Sequence, residues 1–122
     1  MDMRSSEKER GELSIGDLAA EYGLAPHVLR HWEEVGVLIP ARRQGGRRRY
    51  TEEHRCRVEV VLRAQRAGMS LARIREVLDN PDPAERRAIL TAHLADLEER
   101  MTLLCEAREI VEQEMVCRHE QP

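Results

Sequence analysis

Apolar positions along this chain follow two regimes. Up to residue 80 they come in short amphipathic bursts separated by Gly- and Pro-marked breaks; beyond it one spacing runs on almost uninterrupted. The first twelve residues, MDMRSSEKERGE, have no apolar periodicity and read as a disordered leader. Ser14 is placed to cap a first helix, with Asp17 standing where the acidic partner of a capping box belongs. Ile15, Leu18 and Ala19 follow at helical spacing, and Gly23 ends the helix near Tyr22. Pro26 suits the first turn of a second helix, because its missing N–H is unused there. Val28, Leu29, Trp32 and Val35 supply that helix's buried face, which favours the core as Trp32's place, and Gly36 stops it. Val37 to Pro40 read as a short extended apolar piece, and Gly45-Gly46 in the next run signals a hairpin between two short strands. Thr51 opens a third helix with Glu52 and Glu53 in its first turn. Val58, Val61, Leu62 and Gln65 carry it to about Ala67, and Gly68 closes it. Ser70 caps a fourth helix with Leu71, Ile74, Val77 and Leu78 apolar, before Asn80-Pro81-Asp82-Pro83, where residues 81–83 read as a hinge.

From Ala84 to about Val116 the pattern predicts a single long helix. Leu90, Leu94, Leu97, Met101, Leu104, Val111 and Met115 fall at alternating spacings of four and three, broken only at Arg108. A repeat of that kind is a coiled-coil seam. At 1.5 Å per residue the helix spans about 50 Å, too long to pack wholly on a small domain of its own. Self-pairing is the expected use, which makes the chain a homodimer; residues 117–122 form a short tail.

Composition sharpens this picture. Aromatic residues make up 2% of 122, so the core must rest on Leu, Val, Ile, Ala and Met and will be small. The net charge of -3 hides an asymmetry: residues 42–66 carry nine Arg against three Glu, while residues 81–122 carry five basic and ten acidic residues. A basic patch on a neutral or acidic body suits a protein that touches phosphate with one face. No apolar run approaches the roughly 18 residues of a membrane span, and no signal peptide is apparent. Cys56, Cys105 and Cys117 are an odd number without a CxxC pair, which points to a reducing cytoplasm.

Two short helices about a Gly-containing turn form a helix-turn-helix, and the second helix is the one expected in the major groove of double-stranded DNA. Its exposed side chains would be His27, Arg30, His31 and Glu34, with Arg30 having the reach and fork geometry for guanine or phosphate. The hairpin arginines Arg42, Arg43, Arg47, Arg48 and Arg49 suit phosphates or an adjacent minor groove. Ser14, at the start of the first helix, is counted with the DNA-contacting set. Two other readings share these features: a coiled-coil interaction module whose hairpin grips an acidic protein, and an architectural or recombination accessory protein that bends DNA.

The segment LSIGDLAAEYGLAPHVLRHWEEVGVLIPARRQGGRRRYTEEH, continued by RAGMSLARIREVL, resembles the DNA-binding region of the MerR family of transcription regulators over roughly residues 13–78. LRHWEEVGVL followed by GGRRRY is far more specific than a generic helix-turn-helix. The resemblance implies a mainly α fold: a winged helix-turn-helix over 13–80, then an antiparallel dimerisation helix over 84–116. It places Arg30 as the recognition-helix arginine, and Arg48 and Tyr50 as wing residues that grip the DNA backbone. His31 and Trp32 stand where the family commonly has two tyrosines, and Arg47 where it often has one. The implied mechanism is deformation: a dimer binds a near-palindrome in an overlong promoter spacer and untwists or bends it. That brings the two polymerase recognition elements into register, so RNA polymerase is a partner only through promoter DNA. Activation and repression both fit.

Members of the family usually carry a sensor after the dimer helix. With the chain ending about six residues beyond that helix, a large drug-binding domain is not expected, and no run of four close cysteines suggests an iron–sulfur cluster. Cys105, Cys117 and His119 are the candidates for a metal or thiol-linked effector, with His93 further back. Cys105 and Cys117 lie twelve residues apart, about 18 Å along a helix, so they cannot share a metal within one chain. Only an antiparallel partner would bring such groups together; an inert small hydrophobe beside a leucine seam is the stronger expectation for each cysteine. Cys56, between Arg55 and Arg57, is expected on a plain helix surface. No nucleophile elbow, phosphate loop or HExxH is present, and the reading is of a protein that is not an enzyme.

Overall fold

The computed structural model describes residues 13–120. Its elements in chain order are helix α1 (Ile15–Glu21), helix α2 (Pro26–Glu34), strands β1 (Arg42–Gln44) and β2 (Arg47–Arg49), and helices α3 (Glu52–Arg66), α4 (Leu71–Asp79) and α5 (Pro83–Glu120). The mainly α architecture with a two-stranded hairpin is the expected one. The leader over 1–12 lies outside the described residues. Two compact units divide between Asp79 and Asn80.

The start of each short helix follows from its capping chemistry. Ser14 Oγ accepts the Asp17 N–H at 3.1 Å while Asp17 faces back to the Ser14 N–H, so both ends of the capping box are made. Pro26 takes the first turn of α2. Ser70 Oγ accepts the Arg73 N–H at the start of α4. Ahead of α3, His54 replaces the usual acidic residue: its Nδ1 accepts the Thr51 N–H at 2.9 Å. That bond leaves the ring proton on Nε2, which donates to the Pro40 carbonyl at 3.1 Å. His54 is 1% exposed and ties together the two chain segments that lead into and out of the hairpin.

The core of this unit gathers Leu13, Leu18, Ala19, Leu29, Trp32, Val37, Leu38, Tyr50, Val58, Val61, Met69 and Ile74. Val37 and Leu38 are buried, yet they form a bend rather than the extended piece their sequence suggests. Their N–H groups both donate to the Trp32 carbonyl at the end of α2, and Gly36 takes the positive φ of 84° that the reversal requires. Leu13 and Tyr50 exchange two backbone hydrogen bonds, at 3.0 and 2.9 Å, which ties the base of the hairpin to the start of α1. Arg55 is a buried clasp: its Nε and Nη2 each donate to Glu21 at 2.9 Å and its Nη1 to Glu52 at 2.8 Å. Those bonds, Glu21's first, push its pKa further up, and the pair made to Glu21 fastens α3 to α1.

In the second unit, Asn80 to Pro83 is a hydrogen-bonded lead-in to α5. Asn80 Oδ1 accepts the Asp82 N–H and Asp82 Oδ1 accepts the Ala84 N–H, at 3.0 and 2.9 Å. Pro83 then occupies the first helical position, where its ring is tolerated. α5 continues to Glu120, past the expected end near Val116, because neither Gly nor Pro interrupts the sequence there. No helix among the described residues is long and apolar enough to cross a membrane.

Candidate nucleic-acid interface

Helix α2 is sharply two-faced. Leu29 and Trp32 are buried, with Val28 and Val35 packed partly beside them. His27, Arg30, His31 and Glu34 lie on the opposite face, all exposed, as a spacing of three and four residues requires. His31 comes within 4.0 Å of Glu34, with more than half of its side chain in solvent. This outward face is backed by packed side chains and open to solvent in front.

Beside it stands the hairpin. The register pairs Arg42 with Arg49, Arg43 with Arg48 and Gln44 with Arg47. Gly45 and Gly46, at φ 58° and 77°, make the turn, a conformation in which a side chain is strained at both positions. Paired residues share a face, so Arg43 and Arg48 project to one side and Arg42 and Arg49 to the other. Like charges directly opposite one another weaken a hairpin. This arrangement is retained against its own repulsion, and a polyanion would relieve it.

Two surface arginines elsewhere are paired locally, Arg75 with Asp79 and Arg108 with Glu112. Arg30, Arg42, Arg43, Arg47 and Arg49 have no carboxylate partner among the described residues. Arg48 has a loose one. Glu33, from the last turn of α2, places Oε2 3.7 Å from the Arg48 guanidinium, while its Oε1 accepts the Tyr50 hydroxyl at 2.7 Å.

Tyr50 departs from the expectation of a direct backbone grip. Its side chain is fully buried, edge-on to the His54 ring at 5.0 Å, and its hydroxyl is used by Glu33. Burial, and then the Glu33 hydrogen bond, push its pKa up to about 12. A ring enclosed in this way packs against the base of the wing, with its hydroxyl engaged by Glu33. Ser14 is exposed, but its hydroxyl serves α1's capping box. Glu33, His54 and Arg55 carry no local signal in the sequence, because each depends on partners remote in the chain.

On α5, Cys105 and Cys117 are exposed, as is Cys56 on α3. The side chain of His119 lies outside the described residues. Among the described residues no group of three or more His, Cys, Asp or Glu is arranged to hold a metal ion.

A helix-turn-helix with a cationic wing beside its outward second helix defines a winged helix-turn-helix of the DNA-binding class. The chain matches the MerR helix-turn-helix regulatory protein family model over residues 13–81 and the MerR DNA-binding model over residues 55–113, and it belongs to the MerR family of transcription regulators. It is 37% identical over 109 residues to the mercuric resistance operon regulatory protein of Pseudomonas fluorescens, covering 86% of this chain and 75% of that one. Against the transcriptional activator TipA of Streptomyces coelicolor it is 31% identical over 106 residues. That match takes in 86% of this chain but 42% of TipA, so the chain spans less than half of that relative. Among solved structures, the transcription regulator PbrR691 from Ralstonia metallidurans, determined with lead(II), superposes with a TM-score of 0.70 at 28% identity, covering 90% of this chain and 88% of that one. HiNmlR, a MerR family regulator bound to promoter DNA, shares the fold with a TM-score of 0.63 at 17% identity, over 89% of this chain and 91% of that one.

Proposed function

We propose that this protein is a sequence-specific transcription regulator that binds a near-palindromic promoter operator as a homodimer and distorts it to activate or repress. The observation that carries the reading is the set of uncompensated arginines on the wing and Arg30 beside it, on an open recognition face within a MerR-family fold. Phosphate contacts from the wing fix orientation, and α2 reads base edges.

Dimerisation rests on α5. Leu90, Leu94, Met101, Leu104, Val111 and Met115 are between 46% and 70% exposed in the single chain, with Leu97 of the same row partly buried, in the coiled-coil register that the sequence carries. A second copy running antiparallel would cover that row and relate two reading heads by a two-fold axis, which calls for an inverted repeat. Bending or untwisting the DNA between the half-sites costs on the order of a few kcal/mol, offset by contacts at both ends. RNA polymerase then senses the protein through the altered promoter, in the cytoplasm.

Two substitutions separate the roles. Arg48→Ala is expected to weaken binding to both operator and random duplex, the operator more, and to reduce the slope of log K against log salt on the operator by about one. Arg30→Ala is expected to cost about 1–3 kcal/mol on the preferred sequence and to relax preference at one position per half-site. Fluorescence-anisotropy titrations over a salt series check both. An Arg30→Ala protein with unchanged affinity and preference would remove α2 from the role of reader.

A further inference from the structure

We propose that Glu33 is a positioning residue that controls how Arg48 is offered to phosphate, and thereby sets the discrimination between operator and random DNA. The inference rests on the proposed function and deepens it.

Glu33 is unusually placed for a carboxylate. Its side chain is 15% exposed, at the junction of the recognition helix and the wing. One oxygen is anchored by the hydroxyl of Tyr50, whose ring cannot move without opening the core. The other faces Arg48, whose side chain is half exposed and which projects from β2. A hydrogen bond to a tyrosine hydroxyl needs only an acceptor, which a glutamine oxygen would supply equally well. Keeping a carboxylate in a poorly solvated position costs free energy that an amide would not. The negative charge is therefore the feature to explain, and its neighbour on the binding face is Arg48.

At 3.7 Å the pair is an ion pair beyond hydrogen-bond length, fixed on one side and free on the other. Glu33 restrains Arg48 toward one direction and cancels part of its charge. A phosphate presented along that direction engages Arg48 without separating it from Glu33. A phosphate elsewhere requires the pair to come apart, and the anchored carboxylate then stands uncompensated near DNA. Operator binding, which fixes the register of backbone against wing, meets the first case; random DNA, which does not, meets the second. The charge thus acts chiefly against wrong complexes.

Glu33→Gln keeps the acceptor for Tyr50 and removes the charge. The probes are a duplex recovered by selection from a random pool and a shuffled duplex of equal composition, each titrated over a sodium chloride series alongside thermal unfolding. The variant is expected to unfold near the wild-type temperature and bind the shuffled duplex several-fold more tightly. Its salt slope on that duplex should steepen by up to about one unit. Affinity for the selected duplex should change little, so the specificity ratio falls by about three- to tenfold. In an Arg48→Ala background the same substitution should have no such effect. A folded Glu33→Gln protein with wild-type ratio and slope would overturn the inference, and so would an equal effect without Arg48, which indicates general charge repulsion. A wild-type protein that fails to distinguish the two duplexes would instead overturn the proposed function itself.

Discussion

Replacing Leu104 with aspartate is expected to leave a folded protein that sediments as a monomer. Leu104 is 70% exposed, and residues 101–117 around it on α5 are all exposed, so the substitution removes no contact on which the protomer's own fold depends. In an antiparallel dimer the residue occurs twice. Losing burial of two leucines costs about 3–6 kcal/mol, and desolvating two carboxylates in an apolar seam adds to it. The dimer dissociation constant should rise at least a hundredfold. Binding to an inverted repeat should fall with it, since each half-site must then be held alone. Sedimentation velocity checks the first effect and titration of a two-site duplex the second. A dimer that persists at wild-type strength would place the interface elsewhere than this seam.

The second large effect is expected at Trp32. It is the chain's one tryptophan, 2% exposed, on the buried face of the helix that carries Arg30 and His31 outward. Trp32→Ala should destabilise the winged unit by about 3–5 kcal/mol through lost burial and the cavity left behind. For a domain of this size each kcal/mol is worth about 4–8 °C, so the midpoint of thermal unfolding should drop by well over ten degrees. The Trp32 carbonyl also receives the Val37 and Leu38 N–H groups, so local disorder should spread into the turn before the wing. Circular dichroism against temperature reads the effect. A variant of wild-type stability that had lost DNA binding would make Trp32 a contact residue rather than a core residue.

Trp32 also shows where the sequence was sufficient. Short-range signals were legible: the Ser14–Asp17 box, Pro26 at a helix start, Gly45-Gly46 at a turn and the four-three stripe from Leu90 to Met115 each act within one or two turns of chain. The apolar face of α2 follows from spacing alone, and with it the outward side of His27, Arg30 and His31.

What the sequence hid was tertiary. Tyr50 adjoins a run of arginines and its hydroxyl suggests a phosphate contact, yet its ring completes the core. Nothing local shows that Leu13, 37 residues earlier, takes both of its backbone hydrogen bonds. His54 and Arg55 look like ordinary polar positions on a charged helix. Their burial depends on Pro40 and Glu21, brought to them only by the folded chain. Val37 and Leu38 have the composition of a strand, but the positive φ at Gly36 turns them into the core instead. Helix α5 outran its expected end because the apolar stripe marks where a helix is needed, not where it must stop.

Sequence reading by a two-fold dimer is tested most directly by selecting bound duplexes from a random DNA pool at near-physiological salt. The expected result is recovery of an inverted repeat whose half-sites are spaced for two reading heads about one axis. Recovery of no motif, with binding lost at moderate salt, would contradict it and leave the wing as a cationic patch for a partner other than an operator.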